Sequence, residues 1–162
     1  MSRTSDFQVL KYDFYGILTL FLKFDKDNKL VSVDFDFDSE EVSKPEGENH
    51  LKVLRFLDNY KMSNFRSLFE ILKTDKLTNF QHNIYKKLSE VGFGLTISYD
   101  KLGELAGYPK SARGVGQAMA KNPWPILIPC HRVVAKNGLG SYFSGLEIKK
   151  SLLKFEGFLK FS

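Results

Sequence analysis

The sequence predicts an α+β fold, with an antiparallel β-sheet and a flanking helix in the first half and mostly helices in the second. Three features support this class. Apolar and polar residues alternate next to a turn signal at residues 25–28, which is typical of a β-hairpin. Between residues 78 and 121, cap residues and apolar spacing indicate three successive helices. The apolar content of 43%, with 15 Phe, is enough to fill a core in one or two small domains.

The predicted hairpin occupies residues 15–38. Residues 15–24 form a β-rich apolar run, and residues 30–38 alternate strictly after the turn. The side chains expected to share the core-facing side of the second strand are Val31, Val33, Phe35 and Phe37. Aspartates lie on the other side at two-residue spacing. We interpret them as the solvated face of a strand and not as a metal site, since a half-buried strand produces this spacing by itself.

A helix is predicted over residues 50–60, after a polar loop at residues 39–49. Its apolar stripe consists of Val53, Phe56, Leu57 and Tyr60. Residues 61–76 fit either a helix from Ser63 or an irregular connection, and the sequence does not choose between them. We divide the chain into an N-terminal half, residues 1–75, and a C-terminal half, residues 76–162.

Charge is distributed unevenly between these halves. Residues 1–75 carry 11 Lys and Arg against 14 Asp and Glu, whereas residues 76–162 carry 13 against 5. The net charges are therefore −3 and +8. This asymmetry predicts a polyanionic partner for the C-terminal half alone.

Three helices follow in the C-terminal half. Thr78 is the expected N-cap of the first, whose apolar stripe ends before Gly92. The stripe comprises Phe80, Ile84, Leu88 and Val91. Ser98 is the expected cap of the second helix, with Gly107 after its end, and Ser111 is the expected cap of the third, residues 112–121. The last two helices and their tight turn have the dimensions of a helix-turn-helix.

The third of these helices is rich in small residues, namely Ala112, Gly114, Gly116, Ala118 and Ala120. Glycine within a helix costs about 1 kcal/mol relative to alanine, so a close approach to the backbone is expected here. Another helix of the same protein could make that approach, and so could the minor groove of DNA. In the second case Arg113 would project into the duplex.

The segment at residues 122–134 reads NPWPILIPCHRVV and contains the single cysteine, Cys130. Its three prolines make the approach to Cys130 stiff and extended, and the apolar ILI run would be buried. A single cysteine forms no internal disulfide, which favours a reducing compartment. His131 follows directly, but neighbours in an extended chain point to opposite sides, so a Cys–His contact needs a turn or an intervening water.

The last helix is expected to start with a capping box from Ser144 to Glu147 and to end at Glu156 and Gly157. A buried acid such as Glu156 could fix the imidazole tautomer of His131 and favour an activated cysteine. The cysteine and the three histidines lack metal-ligand spacing, and no phosphate-binding glycine loop occurs. The start of the chain lacks a signal-peptide pattern, and no apolar run is long enough to span a membrane. We expect a cytoplasmic protein without metal or cofactor.

The ordered motifs over residues 78–157 resemble the O6-alkylguanine-DNA alkyltransferases. The motifs are the segment from Ser98 to Met119, NPWPIL at 122–127, IPCHRVV at 128–134, YFSG at 142–145 and LLKFEG at 152–157. The resemblance implies a ribonuclease H-like N-terminal domain and a winged-helix-like C-terminal domain. It also implies a monomer that acts on double-stranded DNA and moves an alkyl group from a flipped guanine to cysteine, once per molecule.

The resemblance further implies a role for each matched residue. Cys130 would be the acceptor, His131 and Glu156 would activate it through water, and Tyr99 would protonate the departing guanine. Arg113 would fill the space left by the flipped base. The other residues expected to contact DNA are Ser111, Ala112, Gly114, Gly116, Gln117 and Lys121. The guanine pocket would comprise Asn122, Pro125, Val133, Tyr142, Phe143 and Ser144, with the bulky Phe143 departing from the small residue usual there.

Three alternatives to this function remain at the level of sequence. A base sensor with the same fold would bind alkylated guanine without repair, but such proteins lack the acceptor cysteine. A helix-turn-helix regulator would need polar, base-reading side chains on its second helix, which here carries mainly alanine and glycine. A Cys-His hydrolase would turn over an ester or amide many times.

Overall fold

The computed structural model describes residues 6–38, 41–62 and 64–158. Its N-terminal sheet contains β1 (Phe7–Phe14), β2 (Leu18–Asp25) and β3 (Leu30–Asp34), antiparallel and in sequence order. The predicted hairpin corresponds to β2 and β3, and β1, which precedes it, was not predicted. Tyr15 and Gly16 have positive φ angles of 51° and 72° and form the turn between β1 and β2.

The third strand contains a β-bulge that the strict alternation of its sequence does not reveal. Lys23 pairs with Ser32, and Phe24 pairs with Leu30, so Val31 has no partner in the register. As a result Leu30 and Val33 are buried. The prediction that Val31 shares the buried face with Val33 was therefore wrong, as was the extension of the strand to residue 38.

Helix α1 (Glu48–Asp58) starts two residues earlier than predicted, and its buried residues are His50, Val53, Phe56 and Leu57. Two short 3-10 helices, Tyr60–Met62 and Arg66–Ile71, follow it. The alternative of a helix from Ser63 names a residue outside the described part of the chain. From Arg66 onwards the connection is 3-10 and irregular, not an α-helix.

The C-terminal half contains α2 (Asn79–Leu88), α3 (Tyr99–Leu105), α4 (Ala112–Ala120) and α5 (Leu146–Phe155). The α+β class is therefore confirmed. Thr78 caps α2 in a capping box with Gln81, and Ser98 caps α3. Helix α2 ends at Leu88, so Val91 lies beyond the helix and Gly92 does not end it.

Two predicted caps do not form. Ser111 occupies the N-cap position of α4, but its hydroxyl donates to the carbonyl of Tyr108 in the preceding turn. Helix α5 begins after Gly145, whose φ of 99° sets the entry angle, and no side chain caps it. The capping box predicted from Ser144 to Glu147 is therefore absent.

The segment before Cys130 lies where the two halves meet. Ile126, Leu127 and Ile128 are buried as predicted, and Trp124 is buried with them. The prediction that this approach is extended was wrong: the chain turns here, because the Ile128 amide donates to the Trp124 carbonyl at 2.8 Å and Ile126 has a positive φ angle. The indole Nε1 of Trp124 donates to the Leu30 carbonyl at 2.9 Å, and the Val33 amide donates to the Pro123 carbonyl at 2.8 Å. Beyond the cysteine, β5 (Val133–Val134) pairs in parallel with β4 (Ile97–Ser98). Within the described residues, no helix is both long and apolar enough to cross a membrane.

Candidate active site

A tight turn presents Cys130. Ile126 has a left-handed φ of 77°, and residues Cys130–Arg132 form a 3-10 turn. The side chain of Asn122 holds this turn from within: its Nδ2 donates to the Ile128 carbonyl at 2.8 Å, and its Oδ1 accepts from the Trp124 amide at 3.0 Å. Asn122 thus connects the end of α4 to the cysteine turn.

Cys130 is buried, with only 3% of the residue exposed. Burial raises its pKa to about 11, because a thiolate loses solvation there. Asn122, Lys149 and Tyr142 act in the opposite direction and favour the thiolate. Cys130 therefore lies in a buried but polar environment, and in the free protein it is a neutral thiol.

The imidazole of His131 contacts the carboxylate of Glu156. The imidazole Nε2 makes a short hydrogen bond to Oε2 of Glu156, and both side chains are buried. Burial disfavours the Glu156 carboxylate, but the hydrogen bonds from His131 and Arg132 outweigh it and lower the pKa. Burial also lowers the pKa of His131, against the pull of Glu156. The resting site therefore combines a neutral imidazole with an ionised carboxylate.

The remaining imidazole nitrogen, Nδ1 of His131, is buried and has no hydrogen-bond partner in the protein. The 3-10 turn does not produce a direct hydrogen bond between His131 and the thiol. Of the two alternatives from the sequence, a turn is thus present without a direct Cys–His hydrogen bond, and an intervening water stays a prediction.

Sequence analysis did not identify Lys149 and Arg132 as members of this site. Lys149 is buried, and its Nζ donates to the carbonyls of Val133 and Ser141 at 2.7 and 2.9 Å. Burial lowers its pKa to about 8. Lys149 shares the buried face of α5 with Leu152 and Leu153 at helical spacing. A cationic residue within the apolar stripe of this helix was therefore the feature of the sequence that could have identified Lys149.

A shallow depression of about 330 Å³ brings together several residues predicted to contact DNA or substrate. Its walls are Tyr99, Ala112, Arg113, Gly116, Gly140 and Ser141. The hydroxyl of Tyr99 accepts a hydrogen bond from the Ser141 amide at 3.3 Å. Arg113 is exposed, as are Gln117 and Lys121 further along α4.

The two glycines of α4 have different explanations. A Cβ at Gly114 would lie 3.2 Å from Cζ of Phe80, so packing within the protein accounts for this small residue. A Cβ at Gly116 would meet only a carbon of the Tyr99 ring, at 4.0 Å. Of the two hypotheses for the small residues, internal packing thus applies to Gly114, while Gly116 faces the open depression.

The residues predicted to form a guanine pocket differ in how deeply they are buried. Pro125 and Val133 are buried, and the buried hydroxyl of Tyr142 lies close to the thiol. Ser144 is half-buried. Phe143 is 49% exposed and packs against Phe35 of the N-terminal half, with 5.4 Å between ring centroids.

Proteins of known function are similar to this chain in sequence. A family model described as "6-O-methylguanine DNA methyltransferase, DNA binding domain" matches residues 79–158. The methylated-DNA–protein-cysteine methyltransferase of Metallosphaera sedula is 38% identical over 148 residues, which cover 90% of this chain and 89% of that protein. The chain belongs to the methylated-DNA–protein-cysteine methyltransferase family.

Solved structures agree with membership of the methyltransferase family. The O6-methylguanine-DNA methyltransferase of Pyrococcus kodakaraensis superposes with a TM-score of 0.71 at 29% identity, covering 93% of this chain and 99% of that one. The OGT of Mycobacterium tuberculosis in complex with DNA gives a TM-score of 0.66 at 25% identity, over 93% and 92% of the two chains. These alignments include the N-terminal half, where the sequence motifs are weak.

Proposed function

We propose that this methyltransferase repairs O6-alkylguanine in double-stranded DNA by transferring the alkyl group irreversibly to Cys130. The observation that carries the proposal is a buried turn with Cys130 and His131, to which Glu156 from the end of α5 is hydrogen-bonded through His131. All three residues lie inside the segment matched by the DNA-binding family model. A buried thiol, an imidazole and a carboxylate are the groups that a cysteine nucleophile requires.

The thiol loses its proton to Nδ1 of His131 through a water molecule. Nδ1 is suited to this step because Nε2 is occupied by Glu156 and Nδ1 has no partner in the protein. The carboxylate of Glu156 stabilises the imidazolium that results. Arg132 and the Gly94 amide both donate to Oε1 of Glu156, at 2.7 and 3.2 Å, which keeps the carboxylate ionised and fixed.

The Cys130 thiolate then attacks the alkyl carbon. A C–S bond forms as the C–O6 bond breaks, and the bonding electrons pass to the guanine. Tyr99 donates its phenolic proton to a ring nitrogen of the departing guanine and later recovers a proton, by way of solvent, from His131. The products are guanine and an S-alkylcysteine thioether, and the chain has no second cysteine to resolve it. Each molecule therefore acts once.

Access to Cys130 requires the base to leave the DNA double helix and the loop at residues 135–145 to move, because Cys130 is only 3% exposed. Arg113 takes the place of the flipped base, and the open backbone at Gly116 lets α4 enter the minor groove. The surrounding contacts come from Ser111, Ala112, Gly114, Gln117 and Lys121. The flipped guanine is held by Asn122, Pro125, Val133, Tyr142, Phe143 and Ser144.

The finer architecture is part of the same proposal. Residues 1–75 form a ribonuclease H-like domain, supported by the three-stranded sheet with α1 beside it, and residues 76–162 form a winged-helix-like domain around α3 and α4. We propose that the protein acts in the cytoplasm as a monomer, without metal or cofactor. Among the described residues, no three His, Cys, Asp or Glu side chains cluster as metal ligands.

The test is to incubate the protein with duplex DNA containing one O6-methylguanine and to weigh the tryptic peptide that carries Cys130. We expect a stoichiometric gain of one methyl group on that peptide, with no gain in Cys130→Ser. Arg113→Ala should slow methyl transfer from duplex DNA more than it slows methyl transfer from the free methylated base.

An intact lesion with tight lesion binding would instead indicate a base sensor. A marked preference for one DNA sequence would indicate a regulator, and multiple turnovers of an ester would indicate a hydrolase.

A further inference from the structure

Tyr60, a residue of the N-terminal half, reaches the centre of the candidate active site. It lies in the 3-10 turn after α1 and is 1% exposed. Its hydroxyl oxygen is 3.4 Å from the Ile126 carbonyl oxygen and 3.5 Å from Nε2 of His131. One atom of the N-terminal half thus contacts both the turn before Cys130 and the imidazole after it.

The hydrogen-bond directions at this hydroxyl follow from its neighbours. Nε2 of His131 makes its short hydrogen bond to Glu156, so in the neutral imidazole the Nε2 proton points to the carboxylate. The hydroxyl proton of Tyr60 is then available for the Ile126 carbonyl. Ile126 has a φ of 77°, which is unfavourable for a β-branched residue and persists only where surrounding contacts hold it.

The face of the Tyr60 ring contacts Arg132, which belongs to the same hydrogen-bond network as His131 and Glu156. The guanidinium carbon of Arg132 lies 5.3 Å from the ring centroid, within cation–π range. Phe14, Phe56 and Phe93 pack edge-to-face with the ring, at centroid distances of 4.9, 5.8 and 5.9 Å. The Tyr60 ring therefore has little room to shift. It holds the guanidinium of Arg132 in place, and Arg132 in turn donates to Glu156.

We propose that Tyr60 is a positioning residue through which the N-terminal half orients His131 and the turn that presents Cys130 for alkyl transfer. The inference rests on the proposed function. It assigns to the N-terminal half a part in the chemistry, beyond its packing against the other half.

The test compares Tyr60→Phe with Tyr15→Phe. Both substitutions remove one hydroxyl from the N-terminal half, since the Tyr15 hydroxyl donates to the Leu57 carbonyl at 2.8 Å near the end of α1. The two readouts are the rate constant of methyl transfer from duplex DNA and the 15N NMR signals of the His131 imidazole in protein without DNA. The free energy of unfolding is measured for both variants to separate positioning from stability.

We expect Tyr60→Phe to slow methyl transfer on the order of tenfold or more and to shift the His131 signals, because small displacements of reacting groups are costly. Tyr15→Phe should change neither. A wild-type rate for Tyr60→Phe, or unchanged His131 signals, would overturn the proposal whatever the loss of stability. If Tyr60→Phe does not fold, 3-fluorotyrosine at position 60 keeps ring and hydroxyl and should still shift the His131 signals, and unchanged signals would again overturn it.

Failure of the proposed function gives a different result. In that case the wild-type protein would leave O6-methylguanine intact. The NMR comparison uses no DNA and tests the contact between Tyr60 and His131 independently.

Discussion

Arg132 donates from Nε to Oε1 of Glu156 at 2.7 Å, and side-chain exposure is 3% for the arginine and 1% for the glutamate. The other carboxylate oxygen of Glu156 binds His131. One acid from the end of α5 thus holds two consecutive residues of the cysteine turn. A buried pair of this kind is costly to break, because removing one partner leaves an uncompensated charge.

We therefore expect Arg132→Met to lower the free energy of unfolding by about 3–5 kcal/mol, as measured by urea denaturation. Arg66→Met is the matched control, since the Arg66 side chain is 70% exposed and lies 3.7 Å from Glu90. Loss of that exposed pair should cost no more than about 1 kcal/mol. Equal effects of the two substitutions would contradict the importance assigned to the Arg132–Glu156 pair.

Lys149 connects β5 to the loop beside Tyr99. Lys149→Met would leave the Val133 and Ser141 carbonyls without their donor, at about 1–3 kcal/mol for each buried group left unpaired. Methyl transfer should also slow, because the loop and the favourable charge near Cys130 are both lost. Denaturation and single-turnover kinetics measure the two effects. Lys150→Met, at a partly exposed neighbour paired with Glu147, should stay within about 0.5 kcal/mol of wild type.

Gly140 leaves space for the Tyr99 hydroxyl. A Cβ at this position would lie 2.6 Å from that oxygen, and the φ of 75° is itself unfavourable for alanine by about 1–2 kcal/mol. Gly140→Ala should therefore displace Tyr99 or the loop and slow methyl transfer on the order of tenfold or more. Gly138→Ala, where nothing lies within 4 Å of the added Cβ, should behave like wild type in the same assay.

Stability should fall as the pH drops below about 6.5. Burial lowers the pKa of both His50 and His131 in the folded protein, and Nε2 of His50 is buried without a hydrogen-bond partner. In this range the unfolded chain, with histidine pKa values near 6.5, binds more protons than the folded one. The free energy of unfolding then decreases toward low pH, by up to about 1.4 kcal/mol per pH unit for each histidine.

Urea denaturation between pH 7.5 and 5 measures this dependence above the range in which most carboxylates titrate. His50→Gln removes one of the two titrating groups, so its dependence should be shallower than that of wild type. A flat profile for the wild-type protein would show that neither histidine is held neutral by folding.

Several features of this protein follow from local sequence alone. Thr78 and Ser98 cap their helices as predicted, because a cap depends on the backbone of the next three residues. The apolar character of Ile126–Ile128 likewise predicted that this run is buried, although the extended conformation expected from the prolines does not form. The ordered motifs around Cys130, His131 and Glu156 were also sufficient to predict the family.

Tertiary contacts decided the rest. The bulge at Val31, the hydroxyl of Ser111 turned back to Tyr108, and the contacts of Tyr60 with Ile126 and His131 all depend on partners that the local pattern does not specify. The sequence by itself determined which groups the protein carries and the helices that present them. Only the folded structure decided which groups touch, because buried hydrogen bonds and charge pairs join residues far apart in the chain and their strength depends on their exclusion from water.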